Sequence, residues 1–446
     1  AKKAVSGKPP IDTKSGYETI YEVDSDKKKI IAELKKAVKA ADTVWLATDE
    51  DREGEAIAWH LCEVLKLDVK KTKRIVFHEI TKNAIEEAIK KPRTIDMDLV
   101  AAQQARQILD RLVGFELSPV VWRKVPGGKS AGRVQSPAVR LLVEREREID
   151  QFNGSFNFKV VAEFLHNGEA IKAELPNRFD SEEAATKFLE SLADATFTVT
   201  DVTTSPATRN PAAPFTTSTL QQEANSRLGF SAKATMASAQ KLYQDGKITY
   251  MRTDSVILSG QAIATAAEYI KSNFGENYCQ VRKFKTKSAN AQEAHEAIRP
   301  TNMALEKASS SEYDQKLYDL IRRRTLASQM SPAKLEKTVI TISVNPSIRA
   351  AGVTFQSGPL EPEFSKAPGP LMDAARSRTT EKSAPKGDIF EAKGEVIIFD
   401  GFLKVYGASK KEAEILPAVS SGDTLDLVCA NARQTFARPP ARYSEG

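Results

Sequence analysis

Apolar positions recur along the chain with two different periods, and these divide it into helical and extended stretches. Over residues 27–40, Ile30, Ile31, Leu34 and Val38 fall at helical spacing. The short run Thr43–Ala47 reads as a buried strand, and Ile57, Leu61, Val64 and Leu65 mark an amphipathic helix after it. Between them lies Thr48-Asp49-Glu50-Asp51-Arg52-Glu53-Gly54-Glu55. Strand, acidic loop and helix is the layout of an α/β domain, whose sites gather at the carboxyl ends of strands. Residues 98–113 place Ala101, Ala105, Ile108 and Leu112 on one helix face, with Gly114 as the expected stop. The Gly-rich, basic loop Pro126–Ser136 then leads into a helix whose apolar side includes Val134, Ala138 and Leu141.

From about residue 151 the period changes to two. Phe156, Phe158, Val160 and Ala162 alternate, as do Phe197 and Val199, with a helical stretch from Ala184 to Leu192 between them. A β-rich segment is therefore expected over 151–208. Asn210–Pro214 is a linker or hinge, because two prolines stiffen it and block a helix. Ser218 to Gln221 offers a capping box for the next helix. Val339, Thr341 and Ser343, then Val396–Phe399, return the chain to the β region, while the proline-rich residues 356–387 read as a mobile loop.

Composition narrows the classes. At 446 residues the chain is too long for one core, and several domains are expected. Lys+Arg 65 against Asp+Glu 59 gives a net charge of +6, which permits an anionic partner without demanding one. Cys62, Cys279 and Cys429 are far apart and form no CxxC pair, which argues against a zinc ribbon or disulfide scaffold. No apolar run approaches the ~20 residues of a membrane span and no signal-peptide pattern is seen, so the expectation is a soluble intracellular protein.

Two stretches carry candidate chemistry. In Lys247–Ser255, an extended backbone would set Tyr250, Arg252 and Asp254 on one side. A phenol beside a fixed guanidinium can attack a phosphorus centre, since Arg holds the phosphate and stabilises developing charge. An ordinary half-exposed strand is the competing reading. Asp49, Asp51 and Glu53 also alternate, and an extended loop would point three carboxylates at one spot suited to Mg²⁺. The competing reading is helix capping. Five acids in seven residues exceed what capping needs, so metal is preferred. The loop at Arg133 brings backbone N–H groups and a guanidinium to a helix mouth, a common anion-binding arrangement. His60, His78 and His166 are expected to be structural.

TDEDREGEAIAWH resembles the Asp-x-Asp-x-Glu element of a Toprim domain, specifically that of type IA DNA topoisomerases, and RIVFHEITKNAI resembles the strand and helix that follow. AAQQARQILDRLVGFELSPVVWRK, SAGRVQSPAVRLLVEREREI, the segment from PFTTSTLQQEAN to TYMRTDS, and AQEAHEAIRP resemble further segments of the same family in order. TYMRTDS and SAGRVQS are closer to the bacterial topoisomerase I group than to topoisomerase III.

The resemblance implies a multidomain α/β plus α and β fold, arranged as a toroid. Its expected parts are a partial Toprim domain (1–97), a helical gate base (98–150), a β-rich hinge domain (151–212 and 331–434), a helical domain with the nucleophile (213–330), and a return to the base (435–446). It assigns catalysis to Tyr250, Arg252, Asp49, Asp51 and Glu53, and Mg²⁺ to Asp49, Asp51 and Glu53. DNA contact falls to Arg133, Gln135, Ser136, His295, Arg299 and Asp254, and apart from the resemblance the basic run Arg322–Arg324 is expected to add phosphate contacts. The implied activity is ATP-independent relaxation of negatively supercoiled DNA through a 5′-phosphotyrosine link. The protein would be a monomer acting on single-stranded segments, in the cytoplasm at the nucleoid, with neither membrane nor nucleotide as partner. The family's first Toprim strand, carrying a glutamate and a lysine, is not found ahead of residue 27, so the chain reads as clipped at both ends. A non-catalytic single-stranded-DNA-binding fragment and a topoisomerase III-type decatenase are the alternatives.

Overall fold

The computed structural model describes residues 11–13, 16–285, 296–345, 388–407 and 415–444. His295 and the loop 356–387 lie outside them. The described chain divides into two compact units: residues 1–151, 211–331 and 440–446 form the first, and 152–210 with 332–439 the second.

The first unit opens with two-residue antiparallel strands β1 (Ile11–Asp12) and β2 (Glu18–Thr19), so short strands do precede the first helix. Helix α1 (Lys28–Ala40) follows as expected, yet Ile30 and Leu34 remain exposed. Strand β3 (Trp45–Leu46) leads to α2 (Arg52–Leu65), and β4 (Lys73–Arg74) pairs with β3 in parallel. The buried side of α2 is Glu55, Ala58 and Cys62, while Ile57 is exposed. Leu61 packs against the core on this side as expected, but that core's buried members on α2 are the small Ala58 and Cys62.

After α3 (Lys82–Lys90) comes α4 (Met97–Lys124), 28 residues long. It runs through Gly114, which was expected to stop it, and through Pro119. Proline removes one N–H from the helical ladder, and side-chain contacts flank it on both sides. Ser118 Oγ accepts from Ala131 N at 3.1 Å, and Arg123 Nε donates to the Pro119 carbonyl at 3.2 Å. Helix α5 (Gln135–Asp150) buries no side chain, and Val134 and Leu141 are exposed.

The second unit is a closed six-stranded barrel ordered β10-β5-β6-β9-β8-β7. Its strands are β5 (Phe156–His166), β6 (Glu169–Phe179), β7 (Thr196–Arg209), β8 (Ala333–Asn345), β9 (Ile389–Phe399) and β10 (Thr424–Phe436), with α6 (Glu182–Ser191) between β6 and β7. Period-two alternation dictates this: Phe158, Val160, Ala162 and Phe164 point inward from β5 to meet Ile171, Leu175, Phe197, Ile340 and Phe390. Closure removes exposed strand edges.

Back in the first unit, α7 (Thr217–Leu228), α8 (Ala232–Gln244), α9 (Gly260–Phe274) and α10 (Glu312–Ser328) build a helical core. The cap of α7 is Thr216, whose box partner is Thr219, rather than the expected Ser218–Gln221 pair. Its core gathers Phe215, Leu220, Leu242, Ile248, Met251 and Tyr318. A short helix, α11 (Leu403–Tyr406), belongs to the barrel unit. Residues after Pro439 return to the first unit, where Arg442 pairs with Glu146 and Tyr443 with Arg145 on α5. Cys62, Cys279 and Cys429 are all free thiols. No described helix is long and apolar enough to cross a membrane.

Phe164 is fully buried, with ring centroids 5.0 Å from Phe197 and 5.6 Å from Phe390. Phe164→Ala is expected to destabilise the barrel by about 3–5 kcal/mol. Urea unfolding followed by a barrel-specific probe measures it, and an unchanged midpoint contradicts this packing.

Candidate active site

The acidic loop takes its shape from Arg74, a fully buried side chain at the end of β4. Its guanidinium donates to the carbonyls of Thr48 (2.7 Å), Ile75 (2.6 Å), Asp49 (2.8 Å) and Leu46 (3.3 Å), and Nε donates to Glu55 Oε2 at 3.2 Å. Glu55 is itself fully buried and accepts from Arg93 at 2.7 and 2.9 Å and from Asp96 N at 2.7 Å. Burial alone would raise the Glu55 pKa, but the Arg93 and Asp96 hydrogen bonds and the two guanidinium charges hold it below the usual carboxylate range. Gly54 completes the turn, since a Cβ there would lie 2.0 Å from the Asp49 carbonyl oxygen.

This loop is not the extended run the alternation predicted. Asp51 is the N-cap of α2, accepting from Gly54 N at 2.7 Å, and Glu53 already belongs to the first helical turn. Capping, the reading set second, is therefore what the Asp51 backbone position does. Glu53 turns to α4, where Gln103 donates to it at 3.0 Å and Arg106 stands 3.6 Å away. Asp49 and Asp51 remain close: burial first, and then the Asp51 charge, raise the Asp49 pKa.

The segment Lys247–Ser255 is not a regular strand, its one ladder contact being the isolated bridge of Ile248 to Pro300. Its side chains still alternate, with Met251, Thr253 and Ser255 buried and Arg252 and Asp254 exposed. Tyr250 departs from the side it shares by parity with Arg252, being only 6% exposed. Its hydroxyl donates to Asp51 Oδ2 at 2.5 Å, and its backbone N–H donates to the His78 carbonyl at 2.8 Å. Burial, the Asp51 hydrogen bond and the charges of Asp51 and Asp49 push the Tyr250 pKa well above the phenol range, with Arg252 pulling against them. Tyr243 stacks edge-on against Tyr250 at 5.2 Å and directs its hydroxyl toward Asp49, 3.5 Å away. A cleft of about 280 Å³ opens beside the acids, lined by Asp51, Arg52, Glu53, Arg106 and Arg252.

Other expected site residues have different surroundings. Arg133 is paired with Asp110 of α4 at 2.5 Å, Gln135 donates to Ser130, and Ser136 Oγ accepts from Gly132 N. Arg299 is buried and held by Glu79 (2.9 Å) and Glu296 (2.8 Å), which makes it an internal tie and not the open DNA contact expected. Arg322 binds the Met303 carbonyl and Tyr269, and Arg324 binds the Ala213 carbonyl and Glu223, so both brace the helical core instead of reaching outward. His78, expected to be structural, sits at the site with Nδ1 3.0 Å from Glu50. The clue was its place beyond the carboxyl end of a strand parallel to β3, which puts it beside the acidic loop. Nothing in the spacing marked Tyr243, Arg52 or Arg106.

Among the described residues, no three His, Cys, Asp or Glu side chains converge as a metal site, which corrects the expected three-carboxylate cluster. The Asp49–Asp51 pair fits a smaller role. Two neighbouring carboxylates that repel one another suit Mg²⁺, which commonly takes one or two protein carboxylates and fills its shell with water and phosphate oxygens.

The strand, acidic loop and helix that face the buried Tyr250 are the elements of a Toprim-type domain. A Toprim domain model matches residues 4–80, and a DNA topoisomerase model matches 94–358 and 370–446. DNA topoisomerase 1 of Vibrio cholerae is 42% identical over 455 residues, covering 99% of this chain and 47% of the relative. That of Escherichia coli K12 is also 42% identical, over 98% of this chain and 47% of its own length. The structure of full-length topoisomerase I from Thermotoga maritima superposes with a TM-score of 0.76 at 33% identity, over 99% of this chain and 68% of that one. The chain belongs to the bacterial type IA DNA topoisomerase family, and it spans about half the length of the curated relatives it matches.

Arg74→Met removes a buried charge from a fully desolvated ion pair and should cost about 3 kcal/mol or more, read as a lower unfolding midpoint. Because the Glu55 pKa lies below its unfolded value of about 4.3, its contribution is present above that pH and is lost as pH falls through the folded pKa. The stability gap between wild type and Glu55→Gln is therefore expected to shrink on acidification below about pH 4. A gap that stays constant from pH 7 to 3 contradicts this.

Proposed function

We propose that this chain carries the strand-cleaving centre of a DNA topoisomerase, and that Tyr250 is its nucleophile. One observation carries the reading: a buried phenol donates at 2.5 Å to Asp51 beside a cleft lined by three arginines. An unperturbed phenol has a pKa near ~10, and this one is raised further, so at neutral pH it attacks only if its proton leaves during the step. Asp51 is placed to take that proton. Tyr250 Oη bonds to phosphorus while the O3′–P bond breaks, giving a 5′-phosphotyrosine. The leaving O3′ takes up a proton to become a hydroxyl, so protons balance across the step. Reverse attack by that hydroxyl restores the DNA strand and the free phenol. The link conserves the phosphodiester energy, and no nucleotide is consumed.

Arg252, flanked by Arg52 and Arg106, would hold the scissile phosphate and offset charge in the transition state. Asp49 and Asp51 would hold Mg²⁺, which supplies a fixed positive charge for phosphate oxygens, and Glu53 would act through its α4 partners. Arg133, Gln135 and Ser136 at the start of α5, with Asp254 and His295, are proposed to contact the DNA backbone near the break. The substrate is taken to be single-stranded segments of negatively supercoiled DNA, bound by a monomer in the cytoplasm.

Trapping a covalent complex on a single-stranded oligonucleotide tests this. Tyr250→Phe is expected to lose the adduct while keeping oligonucleotide affinity, and Arg252→Ala to slow adduct formation by about 10²–10³-fold. A wild-type chain that binds the oligonucleotide but never forms the adduct is a binding fragment, and the nucleophile assignment then fails.

A further inference from the structure

Three consecutive residues, His78, Glu79 and Ile80, touch both halves of the site without belonging to either. The His78 ring bonds Glu50 at 3.0 Å, between the two aspartates of the acidic loop. The His78 carbonyl accepts the Tyr250 N–H at 2.8 Å. Glu79 Oε2 stands 2.9 Å from the buried Arg299 guanidinium. Arg299 in turn brackets the residue before the nucleophile: its carbonyl accepts from Thr249 N at 2.9 Å, and its N–H donates to Thr249 Oγ1 at 2.9 Å. Ile80 packs its side chain against the helical core that contains Tyr243, Ile248 and Tyr250. Its carbonyl lies so close to Gly246 that a Cβ there would approach to 2.6 Å, at a backbone φ of +67° that already favours glycine.

We infer that residues 78–80 form a positioning clip, which sets the Tyr250 hydroxyl against Asp51 by gripping the backbone at the nucleophile and ahead of it while its histidine is tied to the acidic loop. Four contacts of different kinds converge on one short segment: a backbone hydrogen bond, a buried ion pair, an apolar plug and a glycine-only approach. The grip at Gly246 and the grip at Tyr250 fix the intervening residues at two points, and Arg299 fixes them at a third. A displacement near 1 Å of a reacting group can cost a site about 10²-fold in rate, so a clip of this kind governs the chemical step more than affinity. These residues act through the nucleophile's backbone.

The inference rests on the proposed cleavage reaction and is tested within it. The single-turnover rate of adduct formation and the Kd for the same single-stranded oligonucleotide are measured for wild type, Glu79→Gln, Glu79→Asp and Gly246→Ala. The clip predicts rates lowered about 10–100-fold in Glu79→Gln and Gly246→Ala at unchanged Kd, with part of the rate restored in Glu79→Asp. Circular dichroism melting checks that each variant remains folded at the assay temperature. If wild type forms the adduct and folded Glu79→Gln and Gly246→Ala form it as fast, the clip is overturned. A parallel loss of binding and rate that Glu79→Asp does not mend also overturns it, in favour of a general structural role. Absence of adduct in wild type instead strikes the cleavage reading itself.

Discussion

The site depends on one buried guanidinium. Arg74 reaches from the end of one short strand across to its parallel neighbour and collects four backbone carbonyls, three of them where the chain turns from strand to acidic loop and the fourth that of the adjoining Ile75. A buried carbonyl left without a donor costs ~1–3 kcal/mol, and of the four the Leu46 carbonyl also accepts from Ile75 N. A sheet of only two residues per strand cannot hold such a turn by its own ladder. The charge that makes Arg74 useful is expensive to bury, and Glu55 offsets it, with Arg93 and Asp96 completing the carboxylate's partners. The acids that face the tyrosine are thus carried by a scaffold that is itself ionic. The apolar core beneath it is small, being Leu46, Ala58, Cys62, Ile95 and Val100.

Electrostatics within the site pull in opposite directions. Asp49 and Asp51 raise the proton affinity of the phenols they face, which keeps Tyr250 neutral and unreactive at rest. Arg252 works against them, and Arg52 and Arg106 add positive charge along the cleft wall. An incoming anionic strand would meet those arginines first and bring its phosphate to the phenol. On the proposed reading, Tyr250 would then be activated by the substrate's arrival, since cation placement and proton acceptance become useful together.

Much of this was legible in the chain, and what was not has identifiable causes. Period-two alternation around Phe156 and Phe197 announced strands that a barrel interior then used residue by residue. Tyr250, Asp49 and Asp51 were marked by spacing, and folding brings them together. Glu53 was misread because alternation assumes extended backbone, whereas capping by Asp51 starts the helix at Arg52 and rotates Glu53 toward α4. Gly114 was taken as a stop on propensity alone, which tertiary contacts overrode in a helix fastened at Ser118. The resemblance assigned Arg299 to DNA, but a family motif does not reveal the side chain's partners, which here are Glu79 and Glu296. Tyr243 and His78 could not be ranked, since their importance is purely one of proximity.

The closed barrel has a consequence for how the protein is made. Strand β5 completes its pairing with β10, where Thr435 bonds Asn157 across a sequence separation of 278 residues. At ~5–20 residues per second of synthesis, tens of seconds separate the emergence of the two strands. Through that interval β5 and β6 present an open edge to the cell, while the helices after residue 211, rich in local contacts, have time to fold. The helical core around Tyr250 would therefore be assembled before the barrel shuts, and the newborn chain's window for misassociation is the barrel's unfinished seam.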